Sequence, residues 1–309
     1  KLAASQIRQT RNDLVMNVKK AFYTVLFTEQ NLTIALAAEA VARENFDTSE
    51  LLFKEGKVSS FDVSRSKVRW ISARADTLSA RNSSIVAKEA LKTLLSLPQE
   101  ETLKVSGTFP DFMKAKPLEK GIEEALMFRP EMEQMDLNLR VFREAEEVAK
   151  SGYYPSLNAS FNYSLAAAEW NTGLNDQYDT WSAMLSVSIP IFDGMDTMGK
   201  TRVARAQYEQ AKYTRESQAD SIIMEVRQAY FTLKNAEESL GAQKESVTTT
   251  RENLKIARER YAMGLLSQLE LKDVELSLIS AETQYVKTLF DYHIAVVLLE
   301  RACGLPYRV

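Results

Sequence analysis

The 309-residue chain is poor in the residues that interrupt, cross-link or bind metal: ten glycines, seven prolines, one cysteine and one histidine. A single cysteine, Cys303, excludes an intramolecular disulfide and any cysteine-based zinc site, and a lone His293 excludes a histidine-rich metal centre. No apolar run reaches the roughly 18 residues that a transmembrane helix needs. A net charge of −3 leaves no basic footprint, so nucleic acid is not an expected partner. There is no nucleophile–base or phosphate-loop constellation, so neither catalysis nor a cofactor is expected. An initiating methionine and a signal peptide are missing too, and Lys1 opens directly into charged, helix-prone sequence, which reads as a start inside a longer protein.

What is present is 45% hydrophobic and 26% charged, enough for a packed core. Prolines stand at 98, 110, 117, 130, 155, 190 and 306, so neither 1–97 nor 191–305 contains one. Two uninterrupted arms therefore flank a punctuated centre, and long helices are expected in both. The arms are copies of each other. A shift of 208 positions aligns 14–98 with 222–306 without a gap and gives 18 identities in 85 pairs. Met16, Val18, Ala21 and Thr24 match Met224, Val226, Ala229 and Thr232; Arg43-Glu44-Asn45 recurs as Arg251-Glu252-Asn253, and Leu97-Pro98 as Leu305-Pro306.

Each copy reads as helix, tight turn, helix. Ile222, Val226, Ala229, Tyr230, Leu233 and Leu240 form one stripe at helical spacing, echoed by Leu14, Val18, Ala21, Phe22, Val25 and Leu32. The first helix should stop at Gly56 or Gly264, the residue type that tolerates a left-handed C′ position. Ser59 with Asp62, and Ser267 with Glu270, have capping-box spacing, so a second helix should start there. The arm from about Gly194 to Tyr261 spans about 100 Å at 1.5 Å per residue, a length suited to a helical barrel, stalk or tunnel. In the centre, 98–117 reads as a loop with an extended stretch near Leu103–Val105. Short helices follow at 118–128 and 131–150.

Beyond Pro155 the period changes from 3.6 to 2. Leu157, Ala159, Phe161, Tyr163 and Leu165 alternate with Asn158, Ser160, Asn162 and Ser164. After a polar loop, Trp181, Ala183, Leu185, Val187, Ile189 and Ile191 alternate with Ser182, Met184, Ser186, Ser188 and Pro190. Two strands of this length can each cross a bilayer, apolar side to lipid and Ser/Asn side to water. The same alternation would serve a half-buried hairpin in a soluble sheet. The chain thus divides into a first helical hairpin at 1–97 with its tip turn at 56–59, a connecting segment at 98–154, a strand hairpin at 155–193, and a second helical hairpin at 194–309 with its tip turn at 264–267.

Arg129-Pro130-Glu131 leading to Tyr153-Tyr154-Pro155-Ser156-Leu157, the strand end Ser188-Ile189-Pro190-Ile191-Phe192-Asp193-Gly194, and Tyr261-Ala262-Met263-Gly264-Leu265-Leu266-Ser267 occur here in that order, within a duplicated chain. In this the sequence resembles the outer-membrane efflux protein family, the TolC-like channels, over essentially its whole length. The resemblance implies a mainly α fold with a membrane β-hairpin. It also implies a homotrimer in which each subunit lends four strands to one shared β-barrel in outer-membrane lipid, while long antiparallel helices form an α-barrel tunnel through the periplasm. Cargo would pass passively, delivered by an inner-membrane pump and a periplasmic adaptor protein. Residue 1 corresponds by the 208 offset to residue 209, so the first copy lacks its own strand hairpin, and three such chains would supply only six strands, too few for a barrel with a lumen.

By the same resemblance, Gly56, Lys57, Val58, Ser59, Gly264, Leu265, Leu266 and Ser267 are the adaptor-docking tips. Glu270 and Asp273 are candidates for a carboxylate ring at the pore constriction; Glu270 also has its capping role, whereas Asp273 has none and corresponds by the 208 offset to Arg65, so only the second copy would build the ring. Asp62 and Tyr261 are candidates for holding the tip closed, the alternative for Tyr261 being packing between helices. The lipid-facing set is Leu157, Ala159, Phe161, Tyr163, Leu165, Leu185, Val187 and Ile189. His293 reads as a surface or interhelical residue and Cys303 as a small buried one. Readings from other classes are a periplasmic adaptor, which interleaves its hairpin with small β domains, and a coiled-coil scaffold, which has no use for Ser/Asn-faced strands.

Overall fold

The computed structural model describes residues 1–98, 100, 103–110, 117–167 and 177–304, with the backbone alone for 165–167 and 177–178. The order is α1 (Leu2–Lys54), α2 (Ser60–Leu94), α3 (Leu118–Phe128), α4 (Pro130–Lys150), a 3-10 turn at Ser151–Tyr153, β1 (Ser156–Ala167), β2 (Gln177–Ser188), α5 (Asp196–Ala262) and α6 (Gln268–Ala302). None of these helices is long and apolar enough to cross a membrane, among the described residues. The expected Leu305-Pro306 end of the second hairpin and Trp170 of the strand loop lie outside the described residues. The chain divides into two compact units: 1–2 with 133–218, and 3–132 with 219–309.

The larger unit is held largely by heptad seams. In α5, Val226, Leu233, Leu240, Val247 and Leu254 are all buried at intervals of seven, the spacing that keeps one stripe facing a partner as helices supercoil. The partner, α6, answers with Tyr292 and Ala295 packed against Leu233 and Leu240. In the first hairpin α2 presents Ser66, Trp70, Ala73, Thr77, Ala80, Ser84, Ala87 and Leu91, alternately four and three residues apart, and all are buried or half-buried. Val25 of α1 packs there against Ala87 and Leu91, with Leu103 and Val105 of the connecting segment laid over them. The expected extended stretch near Leu103–Val105 therefore acts as a cover. Leu14, expected on the α1 stripe, is exposed, whereas its counterpart Ile222 is buried. The difference is that Ala125 of α3 and Met132 of α4 close over Ile222, and no equivalent segment covers Leu14.

α6 buries a second face. Lys272, Ile279, Val286 and His293 recur every seven residues on it, and Phe290 packs on Phe27 of α1 with ring centroids 4.9 Å apart. His293 stacks on Tyr23 of α1 at 5.1 Å and on Phe109 of the connecting segment at 5.0 Å. Lys19 of α1 pairs with Glu300 at 2.8 Å. His293 is thus interhelical, its Nε2 buried without a hydrogen-bond partner, and burial pushes its pKa down to about 4.

An ion cluster locks the end remote from the tips. The Arg129 guanidinium, 4% exposed, donates to Glu131 at 2.8 Å and to Glu225 of α5 at 2.5 Å. Arg301 of α6 meets Asp13 of α1 at 3.0 Å and Glu225 at 2.5 Å. Gly304 then has two reasons to be glycine: its φ is +65°, and a Cβ there would lie 2.8 Å from Arg129 Cγ and 3.0 Å from Arg129 N. Its counterpart after α2, Ser96, adopts the same left-handed region at φ +53°. Cys303 is buried, 3.2 Å from where a Cβ on Gly121 would sit. Gly241 has open space beside its Cα, and nothing in the structure explains it.

In the smaller unit, Asp136 of α4 pairs with Arg215 of α5 at 2.5 Å, and Gly152 approaches Thr197 so closely that a Cβ would meet its Oγ1 at 2.9 Å. β1 and β2 pair antiparallel from Ser156↔Ser188 to Ala167↔Gln177. The strands run longer at the loop end than the sequence pattern predicts, so Trp181 sits inside β2. They stop short of Ile189–Ile191, because Pro155 and Pro190 flank the last pair and a proline has no N–H to extend the ladder.

Replacing Arg129 by Met should destabilise the chain by about 3–5 kcal/mol, since it strands carboxylates that the guanidinium neutralises; a denaturant midpoint within error of the parent would contradict this. For His293 the folded pKa lies below the unfolded value of about 6.5. Stability should therefore be full above that pH, fall as pH drops, and level off near 4. His293→Phe should flatten that slope in pH-dependent thermal unfolding.

Candidate functional site

Two surfaces draw attention: the helical tips and the strand hairpin. The tips are built alike. Gly56 and Gly264 each have φ +73°, and the N–H groups of Lys57 and Leu265 reach back to the carbonyls of Leu52 and Arg260, both at 2.9 Å. That closes the first helix of each hairpin. Ser59 and Ser267 then cap α2 and α6 in full capping boxes with Asp62 and Glu270. The bonds from Ser59 hold the Asp62 carboxyl below its usual range, and those from Ser267 do the same for Glu270, chiefly through the backbone N–H.

These boxes occupy two of the expected site residues. Asp62 accepts from the Ser59 N–H at 3.2 Å and its hydroxyl at 2.7 Å. No hydrogen bond joins it to Tyr261 among the described residues, and the Tyr261 ring is 41% exposed. Glu270 accepts from the Ser267 N–H at 2.9 Å and hydroxyl at 2.7 Å. Asp273, one turn on, is exposed and carries no capping bond. Val58 and Leu266, equivalent by the 208 offset, are half-buried, while Lys57, Gly264 and Leu265 stand in solvent.

The tips also bear an apolar surface that the turn residues alone do not announce. Phe53 and Tyr261, and Phe61 and Leu269, are equivalent pairs flanking the two turns, and all four are exposed together with Met263 and Leu265. Applying the repeat offset to aromatic positions beside each turn would have found them. In the strand hairpin the register keeps the two faces apart: Leu157↔Val187, Ala159↔Leu185, Phe161↔Ala183 and Tyr163↔Trp181 fall on one side, and Asn158↔Ser186 and Asn162↔Ser182 on the other. The Phe161 and Trp181 rings stack at 6.5 Å. Leu157, Phe161, Leu185 and Val187 are each exposed by more than half, and Ile189 follows just past the strand; Leu165 contributes its pairing with Asp179. Among the described residues no group of three or more histidine, cysteine, aspartate or glutamate side chains is placed to hold a metal ion.

Duplicated helical hairpins joined through a strand hairpin with one apolar and one mostly Ser/Asn face define a fold of the TolC-like kind. The chain belongs to the outer membrane efflux protein family, whose sequence profile matches residues 1–96 and 121–305. It is 25% identical to the alkaline protease secretion protein AprF of Pseudomonas aeruginosa over 98% of this chain and 64% of AprF. It is 23% identical to the outer membrane protein TolC of Vibrio cholerae, over 98% of this chain and 70% of that one. The fold matches that of the MtrE outer membrane channel of Neisseria gonorrhoeae, with a TM-score of 0.79 at 19% identity over 98% of this chain and 68% of MtrE. The chain thus spans about two thirds of the length of these relatives.

Ser59→Ala and Ser267→Ala should each cost about 1 kcal/mol, read as faster amide exchange in the first turns of α2 and α6. Both capping carboxyls have folded pKa values below their unfolded ones, so the parent caps should hold above pH 4 or so and fray as pH falls past the depressed values. Exchange insensitive to either serine would contradict the capping assignment.

Proposed function

We propose that the chain is part of the outer-membrane channel of a tripartite efflux or secretion system. Such a channel passively conducts substrates from a periplasmic adaptor and an inner-membrane pump to the outside. The observation that carries this reading is the strand register: it gathers Leu157, Ala159, Phe161, Tyr163, Trp181, Ala183, Leu185 and Val187 on one side and a mostly Ser/Asn face, with Met184 opposite Ser160, on the other, as a barrel strand pair between lipid and water requires. Family membership supports it, as do relatives named for protease secretion and as TolC. A periplasmic adaptor or a coiled-coil scaffold leaves the sorted strand faces without a purpose.

In this reading the protein works as a homotrimer in the outer membrane, with helices reaching into the periplasm. Leu157, Ala159, Phe161, Tyr163, Leu165, Leu185, Val187 and Ile189 face lipid. The turns 56–59 and 264–267, with the exposed Phe53, Phe61, Leu265 and Leu269 around them, receive the adaptor. Three copies of Asp273, free of capping duty, ring the constriction, with Glu270 behind them as a structural carboxylate. Asp62 and Tyr261 do not bond within the chain, so a closing contact between them belongs across subunits.

The full-length protein in a planar bilayer should give discrete conductance steps; a trimeric preparation without them would overturn the channel reading. Asp273→Ala should weaken block by multivalent cations by about tenfold, since removing three exposed carboxylates forfeits on the order of 1–2 kcal/mol. Unchanged block would take Asp273 out of the pore. Tyr261→Phe should raise conductance, and an unaltered value would remove it from tip closure.

A further inference from the structure

The second face of α6 changes character along its length. From Val286 to Glu300 it is filled by the first hairpin, through Phe27, Tyr23 and Lys19. Nearer the tip, the α1 side chains opposite it shrink to Ala35, Ala38 and Ala42, and α2 offers Ser66 and Ala73. A gap of about 450 Å³ opens between the two hairpins, within the range of small-molecule sites. Its walls are mainly apolar, with Ile34 and Val41 facing Leu276 and Ile279.

The tip end of this groove is unusual in charge. Lys272 lines it and is 8% exposed, yet its ammonium makes no hydrogen bond and no ion pair among the described residues. Arg69 lines the same end. Burial pushes the Lys272 pKa down, and Arg69 and Arg65 push it further, against the weaker pull of Glu275 and Asp62. Neither carboxylate forms an ion pair with it among the described residues. Asp62 is held by Ser59 at 2.7 Å, and Glu275 lies 3.6 Å from Arg258. An ammonium on a largely covered side chain, with no carboxylate in bonding contact, gains from an anion in the groove, in competition with Glu275, which lines the same groove. Seven residues further along α2, Asp76 lines the opposite end and opposes a second negative charge there.

We infer that the groove between the two hairpins binds a small amphiphilic monoanion, a carboxylate or sulfonate on a compact apolar body, with its head on Lys272 and Arg69 and its body against Ile34, Val41, Leu276 and Ile279. The site is separate from the exposed tip residues and from Asp273, which points away from it into solvent while its neighbour Lys272 is covered. It does not depend on the channel reading, because every residue it uses belongs to one chain and one unit.

The test is isothermal titration of 1-hexanesulfonate into the full-length protein in lipid nanodiscs, with 1-hexanol as the uncharged control. Saturable binding at one site per subunit is expected. Lys272→Met should weaken it by at least tenfold, and Ala38→Trp, which fills the groove, should abolish it. Lys272→Met should leave the response to hexanol unchanged. Because Lys272→Met removes an unpartnered covered charge, it should unfold at the same temperature as the parent or higher. Absence of saturable hexanesulfonate binding would overturn the inference, as would binding undiminished in both variants or a lowered unfolding temperature for Lys272→Met.

Discussion

Everything in the larger unit depends on α6 being packed on two sides at once. One face closes the seam with α5, through Tyr292 and Ala295 against Leu233 and Leu240. The other meets α1, through Phe290 on Phe27 and His293 on Tyr23. Without the second face there would be two independent helical hairpins, each a marginal two-stranded coil whose stability comes only from its own stripe. With it, the chain acquires a lateral contact that fixes one hairpin beside the other. The seams are narrow, built from Ala, Ser and Thr in α2 as much as from large residues, which lets helices approach closely at the expense of buried area per residue.

Packing alone does not fix the vertical position of one hairpin against the other, because a heptad seam can slip by a repeat. The ion cluster supplies that registration. Arg129 and Arg301 converge on Glu225 from different elements, with Glu131 and Asp13 completing the set. A buried arginine with bidentate partners tolerates no such slip, since moving it by one turn would leave charges unpaired in a covered site. Gly304 is the steric counterpart of the same device, leaving room for Arg129. The two hairpins are tied together where the connecting segment crosses, and nearer the tips a gap opens between them, while each hairpin keeps its own contacts there, Phe46 stacking on Trp70 at 5.6 Å and Arg258 meeting Glu275 at 3.6 Å.

Much of this was legible in the sequence because it is local. The repeat shows directly as a match at an offset of 208, and the glycine turns, the capping boxes and the change of period at Pro155 depend on residues within a few positions of each other; the structure places the turns and boxes as the spacing predicts. What could not be read depends on tertiary partners. Lys272 looks like any solvated lysine on an amphipathic helix until α1 and α2 cover it. Arg129 could be recognised as part of a motif, but its burial requires Glu225, 96 residues away. Leu14 carries the stripe of its repeat and is exposed all the same, since α3 covers only the second copy. The strand ends shifted for a simpler reason: alternation continues through Pro190 in the sequence, while the hydrogen-bond ladder cannot.

We propose that these hairpins are the repeated wall of a three-fold channel. Native mass spectrometry of the full-length protein extracted from the outer membrane should then show a trimer that persists after removal of bound lipid. A protein recovered as a monomer or dimer under conditions that preserve its folded helices would contradict it.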